Sequence, residues 1–169
     1  MADNLLPSEE TLLLATRCFG RGTPFPHALM KKILNKIDNT PYEDIIAGLL
    51  KKKLVRREGR LAFSLTYEGL HRRGFLALPV PMPIWDAALA VTKDVVIDTI
   101  ASKEWESVDL LVIHTAAIAN VFYTKMPRLY LEPMSLSVFC LEHLGRSDDA
   151  DLRKHQMQKV IDSLKSDDQ

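Results

Sequence analysis

Apolar residues in the first third of the chain recur at the spacing of amphipathic helices. Ser8 is preceded by proline and followed by two glutamates, which favours an N-cap at Ser8 and a first helix reaching about Cys18. A second helix is predicted after Pro26 from an apolar stripe with four-residue spacing, formed by Leu29, Ile33 and Ile37. The chain therefore begins with two helices that share a core.

The segment Thr40-Pro41-Tyr42-Glu43 predicts the start of a third helix, over about residues 41–53. Thr40 at the N-cap, Pro41 in the first helical position and Glu43 two positions later match a capping box. The inner face of this helix is expected to consist of Tyr42, Ile45, Ile46, Leu49 and Leu50. Three lysines end it.

A change to alternating apolar and polar positions follows the third helix. Residues 54–57 and 61–65 are predicted to be two short strands, and residues 58–60 are a turn in which Gly59 takes a positive φ. Thr66 is expected to cap a fourth helix that reaches about Leu76. The predicted order is helix, helix, helix, strand, strand, helix.

Alternating prolines in residues 79–83 predict a stiff linker between a first domain, residues 1–78, and a second domain, residues 84–169. Helical periodicity in the second domain predicts helices over 86–100, 107–123, 134–144 and 150–165. Pro127 and Pro133 are expected to interrupt the chain, and Gly145 to end a helix. The fold class is mainly α.

The stretch from Ile45 through Leu49 and Lys53-Leu54-Val55 to Gly59, followed by Leu65-Thr66-Tyr67-Glu68-Gly69, resembles winged-helix regulators of the multiple-antibiotic-resistance and phenolic-acid-repressor types. Those families end their third helix in the pattern L-x-x-K/E-G-L-V-x-R, where x is any residue. After the hairpin they have the pattern L-T-x-x-G. The resemblance covers about residues 8–76. It implies an N-terminal winged-helix domain whose third helix enters the major groove of double-stranded DNA, while the hairpin, residues 54–65 (the wing), contacts the phosphate backbone.

Charge is unevenly distributed along the chain, although the net charge is zero. Residues 1–80 contain 13 Lys and Arg against 8 Asp and Glu, and the remainder has the opposite excess. Lys and Arg neutralise phosphates and release counterions. The candidate DNA-binding residues are Tyr42, Lys51, Lys52, Lys53, Arg56, Arg57 and Arg60.

Several of these candidates have another explanation. Lysines also favour the last turn of any helix, because of its negative dipole end. Tyr42 is either a groove contact or a core residue. Arg72 and Arg73 either extend the basic surface or are simply exposed to solvent.

An interaction adaptor is the alternative function. Glu43 and Asp44 begin the predicted reading helix, where phosphate would repel them, and the wing is short. A winged helix in an adaptor binds protein, and the apolar helix over 107–123 would then dock a partner. For a DNA-binding regulator, the same half is expected to form a homodimer or to sense an effector.

The sequence predicts no enzyme, cofactor or metal site. Cys140 and His143 lie on one helical face, but zinc needs four ligands and no second pair occurs. Two distant cysteines, an N-terminus without a basic and apolar leader, and no apolar run of membrane-spanning length favour a cytoplasmic protein that does not enter a membrane.

Overall fold

The structure is a computed structural model that describes residues 4–76 and 79–167. In order, the elements are α1 (Pro7–Ala15), a 3-10 turn (Thr16–Cys18), β1 (Phe25–Pro26), α2 (His27–Ile37), α3 (Tyr42–Lys51), β2 (Val55–Glu58), β3 (Ala62–Leu65), α4 (Tyr67–Phe75), α5 (Met82–Ala101), α6 (Trp105–Phe122), α7 (Pro127–His143) and α8 (Ser147–Asp167). The mainly helical class is confirmed.

The chain divides into two compact units, Met1–Val91 and Thr92–Gln169, and the division falls inside α5. Residues 79–81 of the predicted linker precede α5, whereas Met82 and Pro83 already belong to it. Residues 77 and 78, at the predicted end of the first domain, lie outside the described residues.

A three-stranded antiparallel sheet of order β1-β3-β2 lies in the first unit. The sequence predicted two strands, and the structure has a third, because Phe25–Pro26 pairs with β3. Phe25 lies opposite Phe63. This strand has two residues and contains a proline, so no alternating pattern marks it. It closes the edge of β3 that the hairpin alone would leave open.

The core of the first unit lies where α1 packs against α2, α3 and α4. Its largest fully buried apolar side chains include Leu12, Leu29, Ile33, Leu49 and Phe63. The ring centroids of Phe25 and Phe63, on β1 and β3, are 5.5 Å apart, so the core continues from the helices to the sheet. The predicted apolar stripe of α2 therefore faces the core at two of its three positions, while Ile37 is only partly buried.

Two predicted helix starts are wrong. The first helix begins at Pro7 rather than after Ser8, and the backbone N–H of Leu6 donates to Glu9 Oε1 at 2.9 Å. The third begins after Pro41, whose backbone is extended, and Thr40 makes no side-chain cap. The Thr40 N–H instead donates to Asp38 Oδ1 at 2.8 Å, a local side-chain turn that replaces the capping box.

The junction between the wing and α4 agrees with the prediction. Gly59 has a φ of 66°, and the Thr66 hydroxyl caps α4 by accepting from the Gly69 N–H at 3.0 Å. The same hydroxyl donates to the Lys53 carbonyl at 2.7 Å. A Cβ at Gly69 would overlap the carbonyl oxygen of Leu54, so α4 approaches the wing closely only because residue 69 is glycine.

In the second unit, α7 packs against both α6 and α8. The predicted break at Pro133 is wrong, because α7 continues through it from Pro127. Pro133 is buried beside the core cluster formed by Ala119, Tyr130, Met134 and Val160. A proline removes one helical hydrogen bond, and packing on both sides compensates for that loss. Gly145, with a φ of 74°, follows the end of α7 as expected.

None of the described helices combines the length and the apolar character needed to cross a bilayer.

Candidate nucleic-acid interface

The end of α3 places two of the predicted cations in solvent. Both Lys51 and Lys53 are exposed. Lys53 has a φ of 60°, its N–H donates to the Leu50 carbonyl, and the Leu54 N–H donates to the Leu49 carbonyl, both at 3.0 Å. This is the Schellman pattern that usually has glycine at the left-handed position. Lys53 occupies that position and turns the chain directly into β2.

Lys52 departs from the prediction. Its side chain is only 16% exposed, and its ammonium forms an ion pair with Glu9, which is 1% exposed. The pair connects α3 to α1, so the expectation that Lys52 lies on the outer face of the third helix is wrong. A carboxylate buried this deeply needs a counter-charge, and Lys52 supplies it.

Tyr42 is a core residue of the first unit. It is buried, and its hydroxyl hydrogen-bonds His27 Nδ1 at 2.7 Å. Burial, and then the Glu43 carboxylate, raise the pKa of Tyr42, so the hydroxyl keeps its proton. Of the two alternatives for Tyr42, the structure shows the core position.

The wing carries its arginines on both faces of the sheet. Arg56 lies opposite Ser64 and Arg57 lies opposite Phe63, and neighbours along a strand project to opposite faces. Arg56 Nε also donates to Glu58 at 2.8 Å, and the hydrogen bond from Arg56 lowers the pKa of Glu58. Arg60 is exposed in the turn.

One face of the wing, together with the first turns of α2 and α3, encloses a cavity of about 290 Å³. Its polar lining consists of His27, Lys31, Tyr42, Glu43, Arg57 and Arg60. Lys31 Nζ and Glu43 Oε1 are 2.9 Å apart, and this hydrogen bond is the main cause of a lowered Glu43 pKa. Burial, then the Arg57 charge, lower the pKa of His27. The predicted cations Arg57 and Arg60 therefore lie around the same cavity as Lys31, which was not among the candidate DNA-binding residues.

The other face contributes Arg56 to a separate cavity of about 230 Å³. Its polar lining also includes Thr23, Ser64 and Arg73. Arg73 is 8% exposed, so the expectation of a solvent-exposed residue is wrong. No sequence signal distinguished Arg73 from Arg72, because burial on α4 depends on where α1 and the 3-10 turn pack.

The outer face of α3 is mixed in charge. Glu43, Asp44 and Ala47 are exposed on it, ahead of Lys51. The acidic residues lie at the start of the helix, where they interact favourably with its dipole. Base contacts from this helix would therefore come from its middle and end.

Cys140 is buried near the C-terminal end of α7, and burial raises the pKa of its thiol to about 12. Within the described ranges, no group of three or more His, Cys, Asp or Glu side chains is arranged to hold a metal ion.

No family model, no curated protein and no solved structure matches the chain. The winged-helix resemblance therefore stays a prediction.

Proposed function

We propose that residues 7–75 act as a winged helix that binds duplex DNA, in a transcriptional regulator. The observation that carries the proposal is the exposure of three arginines, Arg56, Arg57 and Arg60, on a hairpin that is anchored by the buried residues Leu54, Val55, Ala62 and Phe63. Lys51 and Lys53 add two exposed cations at the adjoining end of α3. In this proposal the order of helices and strands is that of a winged helix, with β1 as its third strand.

The energetic basis is counterion release. Each cation that neutralises a phosphate steepens the salt dependence of binding by about 0.9 in the slope of log K against log salt. The five exposed cations predict a slope of roughly −3 to −5 if most of them contact phosphate. Lys52 is left out of this set because its pair with Glu9 is largely buried, whereas Arg56 is kept because its pair with Glu58 lies in solvent.

Placing α3 in the major groove is the finer part of the proposal. Glu43 is held by Lys31 at 2.9 Å, which reduces its repulsion of phosphate. Asp44 and Ala47 are then the exposed residues closest to the bases, followed by Lys51. An aspartate accepts from the amine of cytosine, so recognition by this helix would favour a C·G pair.

We further propose that the second unit joins two copies of the chain. Ile113, Ala117 and Val121 follow one another at four-residue spacing on α6, and Ile113 and Val121 remain exposed. Paired wings double the phosphate contacts and match the two-fold symmetry of most operators. Light scattering of wild type beside Val121→Glu tests this, and equal masses at the monomer value would contradict it.

A mobility shift with duplex DNA of random sequence at low salt tests the main proposal. Arg56→Glu/Arg57→Glu is expected to reduce affinity at least tenfold and to flatten the salt slope. Lys125→Glu/Lys165→Glu is the matched control, because it changes the net charge equally at exposed positions of the second unit. An equal loss of DNA affinity in both variants would show only non-specific attraction between the protein and DNA, and would contradict the role of the wing.

A protein-interaction adaptor is the second candidate, and α4 supplies the observation in its favour. Tyr67 and Phe75 are 79% and 73% exposed, and His71 lies between them with ring contacts to both, at 6.3 Å and 4.8 Å. Such a row of exposed aromatic rings is typical of protein-binding surfaces. Failure of the wild type to bind duplex DNA or heparin at low salt would favour the adaptor over the regulator.

A further inference from the structure

Arg73 is an arginine in an unusual environment. It lies on α4, is 8% exposed, and its Nη1 donates to the Thr16 hydroxyl at 3.1 Å. Within residues 4–76 and 79–167, no carboxylate forms an ion pair with it. Buried guanidinium groups are normally paired with an anion, because desolvating a charge is costly. Among the described residues, the side-chain partner of the Arg73 guanidinium is this neutral hydroxyl.

The charges around Arg73 are also positive. Burial, and then the nearby guanidinium groups of Arg17 and Arg21, lower the pKa of Arg73. Arg17 additionally donates to the Arg73 carbonyl at 2.6 Å, which holds two cationic side chains in the same region. The local field therefore favours an anion at this place in the first unit.

A cavity lies at this place. It has a volume of about 230 Å³, and Arg73 and Arg56 are both in its wall. Thr23 and Ser64 add hydroxyl groups, and Gly22, with a φ of 76°, brings the backbone of the loop before β1 alongside. No acidic residue lines the cavity, and the neighbouring Glu58 accepts hydrogen bonds from Arg56 and Ser64 at its edge. The donors present are the kind that hold an oxyanion through charge-assisted hydrogen bonds.

We propose that this cavity binds a small phosphate-class anion, either inorganic phosphate or a phosphomonoester, with Arg73 as its buried counter-charge and Arg56 as a second cation. Arg73 supplies one positive charge to the anion, and Arg56 supplies the second in competition with Glu58, which accepts from it at 2.8 Å. The volume is below the roughly 300–1,000 Å³ of pockets for drug-sized ligands, so the occupant is small.

A backbone phosphate of duplex DNA has the same chemistry but fits less well. Arg73 is recessed, and a phosphodiester within a duplex is held on a broad surface that does not enter a cavity of about 230 Å³. The anion site itself does not depend on the DNA proposal. If the wing does bind DNA, an anion that engages Arg56 withdraws that side chain from the duplex, and only this regulatory consequence rests on the proposed function.

Thermal unfolding of the full chain in increasing inorganic phosphate, at constant ionic strength, tests the site. Wild type is expected to show a rise in Tm that grows with the logarithm of phosphate concentration above the dissociation constant, and reaches about 3–5 °C at ten times that constant. Arg73→Met keeps the length of the side chain and should abolish this logarithmic rise, while the general salting effect of phosphate remains. Arg60→Met is the matched control and should retain the full rise, because Arg60 lines the other cavity.

Arg56→Met provides a second variant that does not depend on the core, because Arg56 is exposed. It should raise at least tenfold the phosphate concentration at which Tm begins to increase. The proposal is overturned if all four proteins show the same rise in Tm, or if Arg60→Met removes the effect and Arg73→Met does not.

A duplex-binding arm in phosphate-free buffer separates the two sources of phosphate. Arg73→Met should bind duplex DNA as wild type does. A loss of duplex affinity in Arg73→Met equal to that in Arg56→Met would assign the cavity to the DNA backbone and overturn the free-anion proposal. The thermal titration retains its meaning even if the chain binds no DNA.

Discussion

The ammonium of Lys52 and the carboxylate of Glu9 form a largely buried ion pair that joins α3 to α1. Glu9 also accepts from the Leu6 N–H, so one carboxylate oxygen serves both the helix start and the ion pair, while Oε2 has no partner among the described atoms. A Cβ at Gly48 would overlap this Oε2. The Glu9 side chain therefore provides the charged contact between α1 and α3, and fits there because residue 48 is glycine.

Lys52→Met is expected to lower the free energy of unfolding by about 3 kcal/mol, because it leaves the Glu9 carboxylate buried without its counter-charge. Urea unfolding measures the effect. Lys51→Met, at an exposed position one residue earlier, is the control and should change stability by no more than about 0.5 kcal/mol. In Glu9→Gln/Lys52→Met the loss should be smaller than in Lys52→Met alone, and an equal or larger loss would contradict the pairing.

Gly69→Ala and Gly74→Ala should have opposite effects, although both glycines lie in α4. A Cβ at Gly69 meets the Leu54 carbonyl oxygen, whereas nothing lies within 4 Å of a Cβ at Gly74. Gly69→Ala is expected to cost at least about 2 kcal/mol, and Gly74→Ala to stabilise by about 0.5 kcal/mol. Chemical denaturation of both variants provides the comparison, and similar values for the two would refute the close approach of α4 to the wing.

Lys53→Gly is expected to stabilise the fold by up to about 1 kcal/mol, because Lys53 has a φ of 60° and glycine adopts that conformation without strain. Lys51→Gly, inside α3, should instead cost about 1 kcal/mol. Thermal unfolding distinguishes the two. The same Lys53→Gly variant should bind duplex DNA more weakly, so a gain in stability accompanied by unchanged affinity would remove Lys53 from the proposed interface.

Protonation of His27 should destabilise the first unit below neutral pH. Its pKa is lowered in the folded state by burial and then by Arg57, so the unfolded chain binds the proton more tightly. The stability contributed by neutral His27 is complete above the unfolded pKa, about 6.5, and decreases as pH falls from there towards the lower folded pKa. Urea unfolding at pH 7.5, 6.5 and 5.5 should show this decrease, and His27→Asn should reduce it. A pH dependence identical in both proteins would show that other groups cause it.

Periodicity predicted most of the helices because a stripe of buried side chains leaves a local signature. The apolar stripe of α2 and the inner face of α3 could be predicted for this reason. The helix cap at Thr66 and the turn at Gly59 could be predicted because each depends on neighbours in sequence. Pro133 shows the limit of such signals. Its local effect is to break a helix, and packing around Tyr130 and Met134 outweighs it.

Only part of the candidate site could be predicted from the sequence. The cluster of cations after Leu50 identified the exposed Lys51, Lys53 and wing arginines. It also included Lys52, whose partner Glu9 is 43 residues away, and it placed Arg56 and Arg57 together although the pleat separates them.

By itself, the amino-acid sequence determined the mainly helical class, the hairpin and its turn, and the concentration of cations near residues 51–60, since each of these follows from interactions between residues close together in the chain. Only the tertiary structure decided which of those cations remain in solvent, that Phe25–Pro26 completes a sheet, and that Arg73 is buried beside a cavity without a carboxylate. The reason is that burial and long-range pairing depend on which helix faces meet, and no local pattern records that choice.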